Sequence, residues 1–400
     1  MSYTINPDTI SSSLYPVAFR SIEPSAVIQQ QINVYLDGTL EGSFLAAQTG
    51  TSGTSAVFDT NVQSFLITQL APKTNAKTSF FGNLYGFSLT NNTDVISSLY
   101  CTAFNQTINS SGFVVTSTAS QSSTTAYVLP SLFVDGEYDL GDFYQPSANP
   151  FLFLTQRNDF IKCNSSGNIF LSYLGRGTNA AQFEFYLKSG SSAVTIVDNL
   201  NSTATNDLYS LSVGVSNIFG KTAIFHAGNF PTNPDLYDYY DVSVGVYSGT
   251  YTRRSERQRI YIYPNCNDNI ELHWFGKYGG AESYQFTGLM IDKQTSNADT
   301  INLAQRWLIT DSPKANTFDK NVIKVNQRSN KSKTVTVAVS HEDALYIATM
   351  FNSPEVYIIE NGKYVNVTIA NGEINTDNNR ATDIGVSFEI IYQNTPVAQL

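Results

Sequence analysis

The chain has 400 residues, of which only 14% are charged, while 42% are hydrophobic and 13% are aromatic. This length and aromatic content exclude a miniature scaffold and a disordered chain, because disordered chains combine high charge with few aromatic residues. The 23 basic and 33 acidic residues give a net charge of -10, which argues against a nucleic-acid partner, since such proteins carry a basic footprint.

The N-terminal residues contain no basic segment followed by an apolar run, so no secretory signal is predicted. No apolar run approaches the roughly 18 residues that a membrane-spanning helix needs, and we expect no membrane insertion. Synthesis in a cytoplasm is the expectation that follows. Three widely separated cysteines, Cys101, Cys163 and Cys266, fit neither a disulfide framework nor a zinc site and are predicted to be free thiols.

Short alternating segments between Asp-Gly and Asn-Gly turns predict an all-β chain of several β-sandwich or barrel-like modules. The first hairpin joins residues 32–36 to residues 40–45 through Asp37-Gly38, a dipeptide that favours positive φ. Polar stretches at 117–125 and 292–300 are interpreted as linkers. The predicted segments are an N-terminal arm (1–24), two β domains (25–128 and 129–292) and a C-terminal β domain with a short helix (293–400).

A cluster of aromatic strands occupies the centre of the chain. Segments 259–263, 270–275 and 283–288 read as successive strands, with a polar turn after Pro264 and a Gly279-Gly280 turn. Aromatic cross-strand pairs stabilise antiparallel sheets. The pattern therefore predicts that these three segments form one antiparallel sheet.

The C-terminal part carries the one clear helix signal. Ser340 with Asp343 three residues later fits a capping box, and Pro354 ends the apolar-periodic run, which predicts a helix over 341–351. A meander is predicted to follow, with turns at Asn361-Gly362 and Asn371-Gly372.

No catalytic motif emerges from the residues. The serine elbow G-x-S-x-G, the phosphate loop G-x-x-x-x-G-K-[ST] and the dinucleotide fingerprint G-x-G-x-x-G are missing, and the three histidines are dispersed. A glycosidase pair of carboxylates stays open, since the two can come from any two strands. We predict a protein without catalytic activity, metal centre or cofactor.

Three aspartates, Asp235, Asp238 and Asp241, have two interpretations. They could supply oxygen ligands to calcium, but their spacing suits a helical face and lacks the glycine of a calcium loop. The alternative is a solvated loop between packed tyrosines.

Subunit contacts are predicted from aromatic and basic residues. The aromatic cluster holds more large rings than one face of a three-stranded layer can bury, and aromatic residues anchor interfaces. Basic residues on an acidic chain can meet the acidic face of a neighbouring subunit. The alternatives are an internal core for the rings and solvated strand faces for the basic residues. The candidate interface residues are Tyr261, Tyr263, Trp274, Phe275, Tyr284, Phe286, Arg253, Arg254, Lys331 and Lys333.

Three segments resemble structural tail proteins of phages that infect Bacteroidetes. Residues 270–288, IELHWFGKYGGAESYQFTG, are similar to a segment of those proteins with two aromatic strands around a Gly-Gly turn. Residues 353–374 resemble their C-terminal β module, and residues 14–38 resemble their opening strand pattern. The three segments cover about a sixth of the chain, and the resemblance brings no catalytic residues with it.

The resemblance implies a non-enzymatic structural protein of a virion tail, in the baseplate, tail tip or connector, made in the host cytoplasm. The implied partners are copies of the chain in a ring or other symmetric assembly, together with other tail proteins. The alternative is a receptor- or carbohydrate-binding tail protein for host attachment, whose exposed aromatic rings would stack on a host surface glycan.

Overall fold

The computed structural model describes residues 3–5, 10–12, 17–63, 66, 89–91, 96–129, 143, 150–157, 160–175, 177–190, 194–200, 203, 207–221, 229–264, 269–302, 307–308, 314–315, 322–375 and 383–392. Two compact units make up the chain, Met1–Cys266 with His273–Gln285, and Asn267–Leu272 with Phe286–Leu400. The predicted all-β architecture is confirmed. No helix in the described ranges is long and apolar enough to cross a membrane.

The N-terminal part of the first unit is a β-sandwich whose strands alternate between buried and exposed residues. The first eleven strands are β1 (Tyr3–Ile5), β2 (Ile10–Ser12), β3 (Ala18–Pro24), β4 (Val27–Leu36), β5 (Thr39–Ala47), β6 (Gly50–Ser52), β7 (Ser55–Asn61), β8 (Leu89–Asn91), β9 (Ser97–Ile108), β10 (Val114–Ser122) and β11 (Ala126–Leu129). One sheet has the order β1-β3-β7-β6, and the other has the order β2-β11-β9-β4-β5 with β10 on β9. Phe19, Ile32 and Leu99 contribute to a shared core.

A second sandwich follows in the same unit. Its elements are β12 (Phe160–Asn164), β13 (Phe170–Leu174), β14 (Ala180–Leu187), β15 (Val194–Asn199), β16 (Leu208–Ser212), α1 (Val215–Ile218), a 3-10 helix (Pro234–Leu236), β17 (Tyr237–Tyr247), β18 (Tyr251–Arg253) and β19 (Gln258–Tyr263). The larger sheet has the order β12-β19-β17-β14-β15 with β18 on β17, and the smaller one has the order β13-β16-β8. Phe183 and Val242 of the larger sheet share a core with Leu171 and Leu211 of the smaller one.

The remaining elements belong mainly to the second unit, and the hairpin of β20 and β21 contributes residues to both units. They are β20 (Asn269–Phe275), β21 (Ala281–Thr287), β22 (Leu289–Asn302), β23 (Trp307–Leu308), β24 (Lys314–Ala315), β25 (Val322–Ser340), α2 (His341–Phe351), β26 (Val356–Glu360), β27 (Lys363–Asn375) and β28 (Asp383–Tyr392). Seven strands form a sheet in the order β21-β20-β26-β27-β28-β25-β22, while β23 pairs with β24.

The predicted C-terminal helix is confirmed as α2. Ser340 lies at its N-cap in extended backbone conformation, and the Ser340 hydroxyl accepts a hydrogen bond from the Asp343 backbone N–H at 3.2 Å. This bond satisfies one of the N–H groups that a helix leaves without a partner at its start. The local capping signal was therefore sufficient to locate the helix.

Of the three turns predicted from Asp-Gly or Asn-Gly dipeptides, two are confirmed. Asp37 and Gly38 have φ of 50° and 80°, and Asn361 and Gly362 have φ of 51° and 70°, as primed hairpin turns require. The turn at Asn371-Gly372 was wrong, because β27 runs on to Asn375 and its register with β28 shifts between Ala370 and Glu373. Asn371 has φ of 52°, so the dipeptide makes a bulge within a continuous strand.

Three segments that were predicted to be an arm or linkers contain strands. Residues 18–24, predicted in the N-terminal arm, form β3, whose Phe19 is 1% exposed in the sandwich core. The stretches at 117–125 and 292–300 were interpreted as linkers, but Ser117–Ser122 belongs to β10 and 292–300 belongs to β22. Both are Ser-, Thr- or Asn-rich strands, so polar composition there marks exposed strands. The division at 128/129 stays a prediction.

The predicted antiparallel sheet of three aromatic segments was also wrong. Segment 259–263 is β19, which pairs in parallel with β12 and antiparallel with β17. Segments 270–275 and 283–288 lie in β20 and β21, in the seven-stranded sheet. Strand composition does not specify which strands pair, and here β19 pairs with a strand about a hundred residues earlier in the chain.

Candidate functional site

The outer face of the sheet containing β12, β14, β17 and β19 presents an ordered set of aromatic and charged side chains. Along β14, Phe183 and Phe185 point into the core, which leaves Glu184 and Tyr186 on the opposite face. Successive strand residues alternate between faces, so register alone brings outward residues of neighbouring strands together. We call this surface the outer face.

Four aromatic rings, one from each of these strands, form a row across the outer face. Phe160 and Tyr261 meet edge to face with ring centroids 5.4 Å apart, and Tyr261 lies 5.3 Å from Tyr239. Tyr239 and Tyr186 are stacked at 4.5 Å with an interplanar angle of 23°. We call Phe160, Tyr261, Tyr239 and Tyr186 the aromatic row.

A second row of charged residues runs beside the aromatic row. Arg259 donates from Nε to Oδ1 of Asp241 at 2.8 Å and from Nη2 to Oδ2 at 3.1 Å. The Arg259 guanidinium also lies 4.1 Å from the centroid of the Tyr239 ring. Arg257 is 3.3 Å from Glu184, which also accepts a hydrogen bond from Tyr186 at 3.1 Å.

The two carboxylates in this row are direct cross-strand partners, because Glu184 pairs with Asp241 in the β14–β17 register. Like charges opposite each other destabilise a sheet, and here each carboxylate has an arginine of its own. The hydrogen bonds with Asp241 raise the pKa of Arg259 above its usual value. Burial raises the pKa of Tyr186, and the Glu184 carboxylate adds to that rise.

Both carboxylates of the charged row are paired with arginine. Both oxygens of Asp241 accept hydrogen bonds from Arg259, and Glu184 lies 3.3 Å from Arg257. Within the described ranges, no group of three His, Cys, Asp or Glu side chains could hold a metal ion. The calcium interpretation of Asp235, Asp238 and Asp241 therefore gains no support, because the Asp241 carboxylate is already paired with arginine.

Of the predicted interface residues, Tyr261 lies in the aromatic row and Tyr263 extends from the same strand with 46% of its surface exposed. Arg253 ends β18, and both it and Arg254 are exposed. Tyr284 is half-buried beneath the Arg157 guanidinium, 5.7 Å from its ring centroid. The structure therefore leaves these side chains wholly or partly accessible.

Three predicted anchors lie elsewhere. Trp274 and Phe286 are 0% exposed and Phe275 is 5% exposed within the single chain. A ring buried in its own chain has no surface to offer a second subunit, so these three residues are removed from the candidate interface. Their burial agrees with the alternative that the rings form an internal core.

The two predicted lysines pair within the second unit. Lys331 lies 3.8 Å from Glu360 and 4.4 Å from the ring centroid of Tyr392. Lys333 lies 3.3 Å from Asp292 on the neighbouring strand β22. These contacts place both lysines beside acidic groups of their own sheet.

Sequence reasoning missed most of the outer face. Phe160, Glu184 and Tyr186 were not singled out, and Tyr239 was interpreted only as a packing residue. The available signal was the alternation in QFEFYL and YYDVSV, where aromatic, polar or charged residues alternate with core residues. The chain matches no known protein-family model, and comparison with curated proteins found no match.

Proposed function

We propose that the protein is a non-enzymatic structural component of a phage tail, in the baseplate, tail tip or connector, and that the outer face is a subunit contact. The observation that supports a subunit contact is that the Tyr239 ring is already packed against two neighbouring side chains. Tyr186 stacks on it at 4.5 Å and the Arg259 guanidinium lies 4.1 Å from its centroid. The Tyr239 ring, at the centre of the row, therefore offers a partner mainly its edge and its hydroxyl group.

A partner that uses edges and hydroxyl groups is most simply another protein. Tyrosine and arginine are enriched at protein interfaces, where a ring packs while its polar end hydrogen-bonds. A sugar ring would need an uncovered aromatic face. The centre of the row does not provide one, which favours the structural function over glycan binding.

An exposed sheet edge gives separate support for assembly. Strand β5 lies at the edge of its sheet and exposes Leu40 (50%), Phe44 (37%) and Leu45 (59%). Exposed apolar residues on an edge strand favour association with another chain. The tail assignment itself rests on the resemblance of residues 270–288 and 353–374 to tail proteins.

The test is incorporation of the chain into purified phage particles, measured by quantitative mass spectrometry as copies per tail. We expect a fixed copy number for the wild-type chain. The double variant Tyr186→Ala/Tyr261→Ala should lose incorporation while keeping its circular dichroism spectrum, since removing an interface anchor costs about 2 kcal/mol or more.

The matched control is Tyr35→Ala/Tyr100→Ala. Tyr35 and Tyr100 also form a stacked cross-strand pair, with centroids 4.7 Å apart, on the sheet of β4 and β9. Absence of the wild-type chain from particles would refute the tail function. Equal incorporation of both double variants would refute the outer face as the contact.

Carbohydrate binding is the second candidate, favoured by the exposed rings Phe160 (39%) and Tyr263 (46%). Phe160 is the end member of the aromatic row and Tyr263 lies beyond Tyr261 on the same strand, and both leave more surface open than the central tyrosines of the row. A glycan array with the isolated protein tests this function. Specific binding that is lost in Phe160→Ala/Tyr263→Ala would establish the second candidate in place of the first.

A further inference from the structure

A long β-hairpin in the second unit continues beyond the sheet from which it starts. Residues 332–336 of β25 pair with β22 on one side and with β28 on the other, and residues 337–340 pair with β28. Residues 322–331 of β25 pair only with β22 within the described part of the chain. We call residues 289–340 the hairpin arm, and its two-stranded part, residues 294–302 with 322–331, the ribbon.

Strand β22 of the hairpin arm is open to solvent wherever the burial of its side chains is described from Ile291 onward. On β22, residues 291–295 and 299–301 are all exposed, so both faces of this strand are open. The exposed side chains include Ile291 (53%) and Ile301 (49%). Nine residues of strand extend about 30 Å, and a two-stranded hairpin of that kind is at best marginally stable in water. Its open faces are therefore suited to being covered by a partner.

The charge of the arm favours a second copy of the same chain as the partner. Residues 289–340 contain eight Lys or Arg and four Asp, a net charge of +4, whereas the whole chain carries -10. The rest of the chain therefore carries -14, with 15 basic and 29 acidic residues. A positive arm on a chain with a negative remainder is complementary to another copy of the same chain.

We propose that the ribbon of one copy lies on the acidic remainder of a second copy and joins the two subunits. The contact is head-to-tail, because the arm and its acceptor are different surfaces, and contacts of this kind close into rings or run on as filaments. This inference rests on the proposed structural function and adds its partner and the element that binds it.

Self-association of the purified full-length chain tests the arm, measured by analytical ultracentrifugation at 20 mM and 1 M NaCl. We expect the wild type to form oligomers at low salt and to dissociate at high salt, where the Debye length falls to about 3 Å. The variant Lys324→Glu/Arg328→Glu, with both substitutions in the ribbon, should weaken association at least tenfold at low salt.

The matched control is Lys188→Glu/Lys363→Glu, which makes the same charge change at two exposed lysines outside the arm. It should associate like the wild type, and all three proteins should keep the same melting temperature. A wild-type protein that stays monomeric at low salt would overturn the proposal that the arm joins subunits. So would a ribbon variant that associates like the wild type.

A photocrosslinking residue at Thr300, exposed on β22, identifies what the ribbon touches. With mixed isotope-labelled and unlabelled chains, we expect adducts between copies to peptides outside residues 289–340. Adducts only within one chain would contradict the proposal. It would also be contradicted if the monomer bound a 20-bp duplex DNA and the ribbon variant did not. Absence of the chain from phage particles would refute the tail function and leave the proposed arm contact standing. Failure of the solution tests would refute the arm contact and leave the tail function standing.

Discussion

Arg259 binds both carboxylate oxygens of Asp241 across the adjacent strands β19 and β17, at 2.8 and 3.1 Å. The pair is unequal in exposure, because the Asp241 side chain is 6% exposed and that of Arg259 is 38% exposed. Burying a charge is costly when its partner is removed, and a bidentate arginine is the strongest such partner. Substitution of Arg259 and substitution of Asp241 should therefore lower the free energy of unfolding by different amounts.

We predict that Arg259→Met lowers the free energy of unfolding by about 2–4 kcal/mol, because it leaves the Asp241 carboxylate nearly buried without its guanidinium. Asp241→Asn should cost only about 1 kcal/mol, since Arg259 reaches water and the amide oxygen still accepts a hydrogen bond. Urea unfolding followed by circular dichroism measures both. A larger loss for Asp241→Asn than for Arg259→Met would contradict this account.

Trp274→Ala should lower the free energy of unfolding by about 3–5 kcal/mol, the cost of a large cavity in a packed core. The reason is that the indole is 0% exposed. Tyr263→Ala is the comparison, because this ring is 46% exposed, and it should change stability by less than about 0.5 kcal/mol. Thermal melts of both variants measure the two losses of stability. A Trp274→Ala protein with an unchanged melting temperature would contradict the role of Trp274 as a buried core residue.

Gly280→Ala tests a close backbone contact at the turn between β20 and β21. A Cβ at Gly280 would lie 2.1 Å from the Leu154 carbonyl oxygen, far inside van der Waals contact. We expect a loss of about 1–3 kcal/mol from the forced shift. Gly50→Ala has open space around its new methyl group and should stay within about 0.5 kcal/mol of the wild type. Similar unfolding midpoints for the two variants would show that the Leu154 backbone yields easily.

Alkaline stability should depend on Cys101. Burial raises the pKa of this thiol from 9.0 to about 12. The unfolded chain ionises first as the pH rises, so the contribution of Cys101 to folding is complete below about pH 9 and is lost progressively toward about pH 12.

We predict that the wild type loses stability relative to Cys101→Ala by up to about 1.4 kcal/mol per pH unit in that window. Urea midpoints at pH 8, 9, 10 and 11 give the difference between the two proteins. Comparing the two removes the contribution of tyrosines such as Tyr251, whose pKa burial raises to about 12. Parallel pH profiles for both proteins would be the contrary result.

The sequence by itself determined those features that depend on a few neighbouring residues. Asp37-Gly38 specifies a primed turn because its backbone needs positive φ at both positions, and no distant residue is involved. Ser340 and Asp343 specify the start of α2 because the capping hydrogen bond joins residues three apart. The period of two along the strands likewise predicted an all-β chain.

Only the tertiary structure decided which strands pair and therefore what the outer face contains. β19 lies between β12 and β17, so Tyr261 meets Phe160 and Tyr239 instead of the aromatic residues of β20. Asn371-Gly372 has a hairpin dipeptide, yet β27 continues through it, because its pairing with β28 resumes at Glu373. Pairing energy is shared between distant segments, so a local pattern identifies a strand without identifying its neighbour.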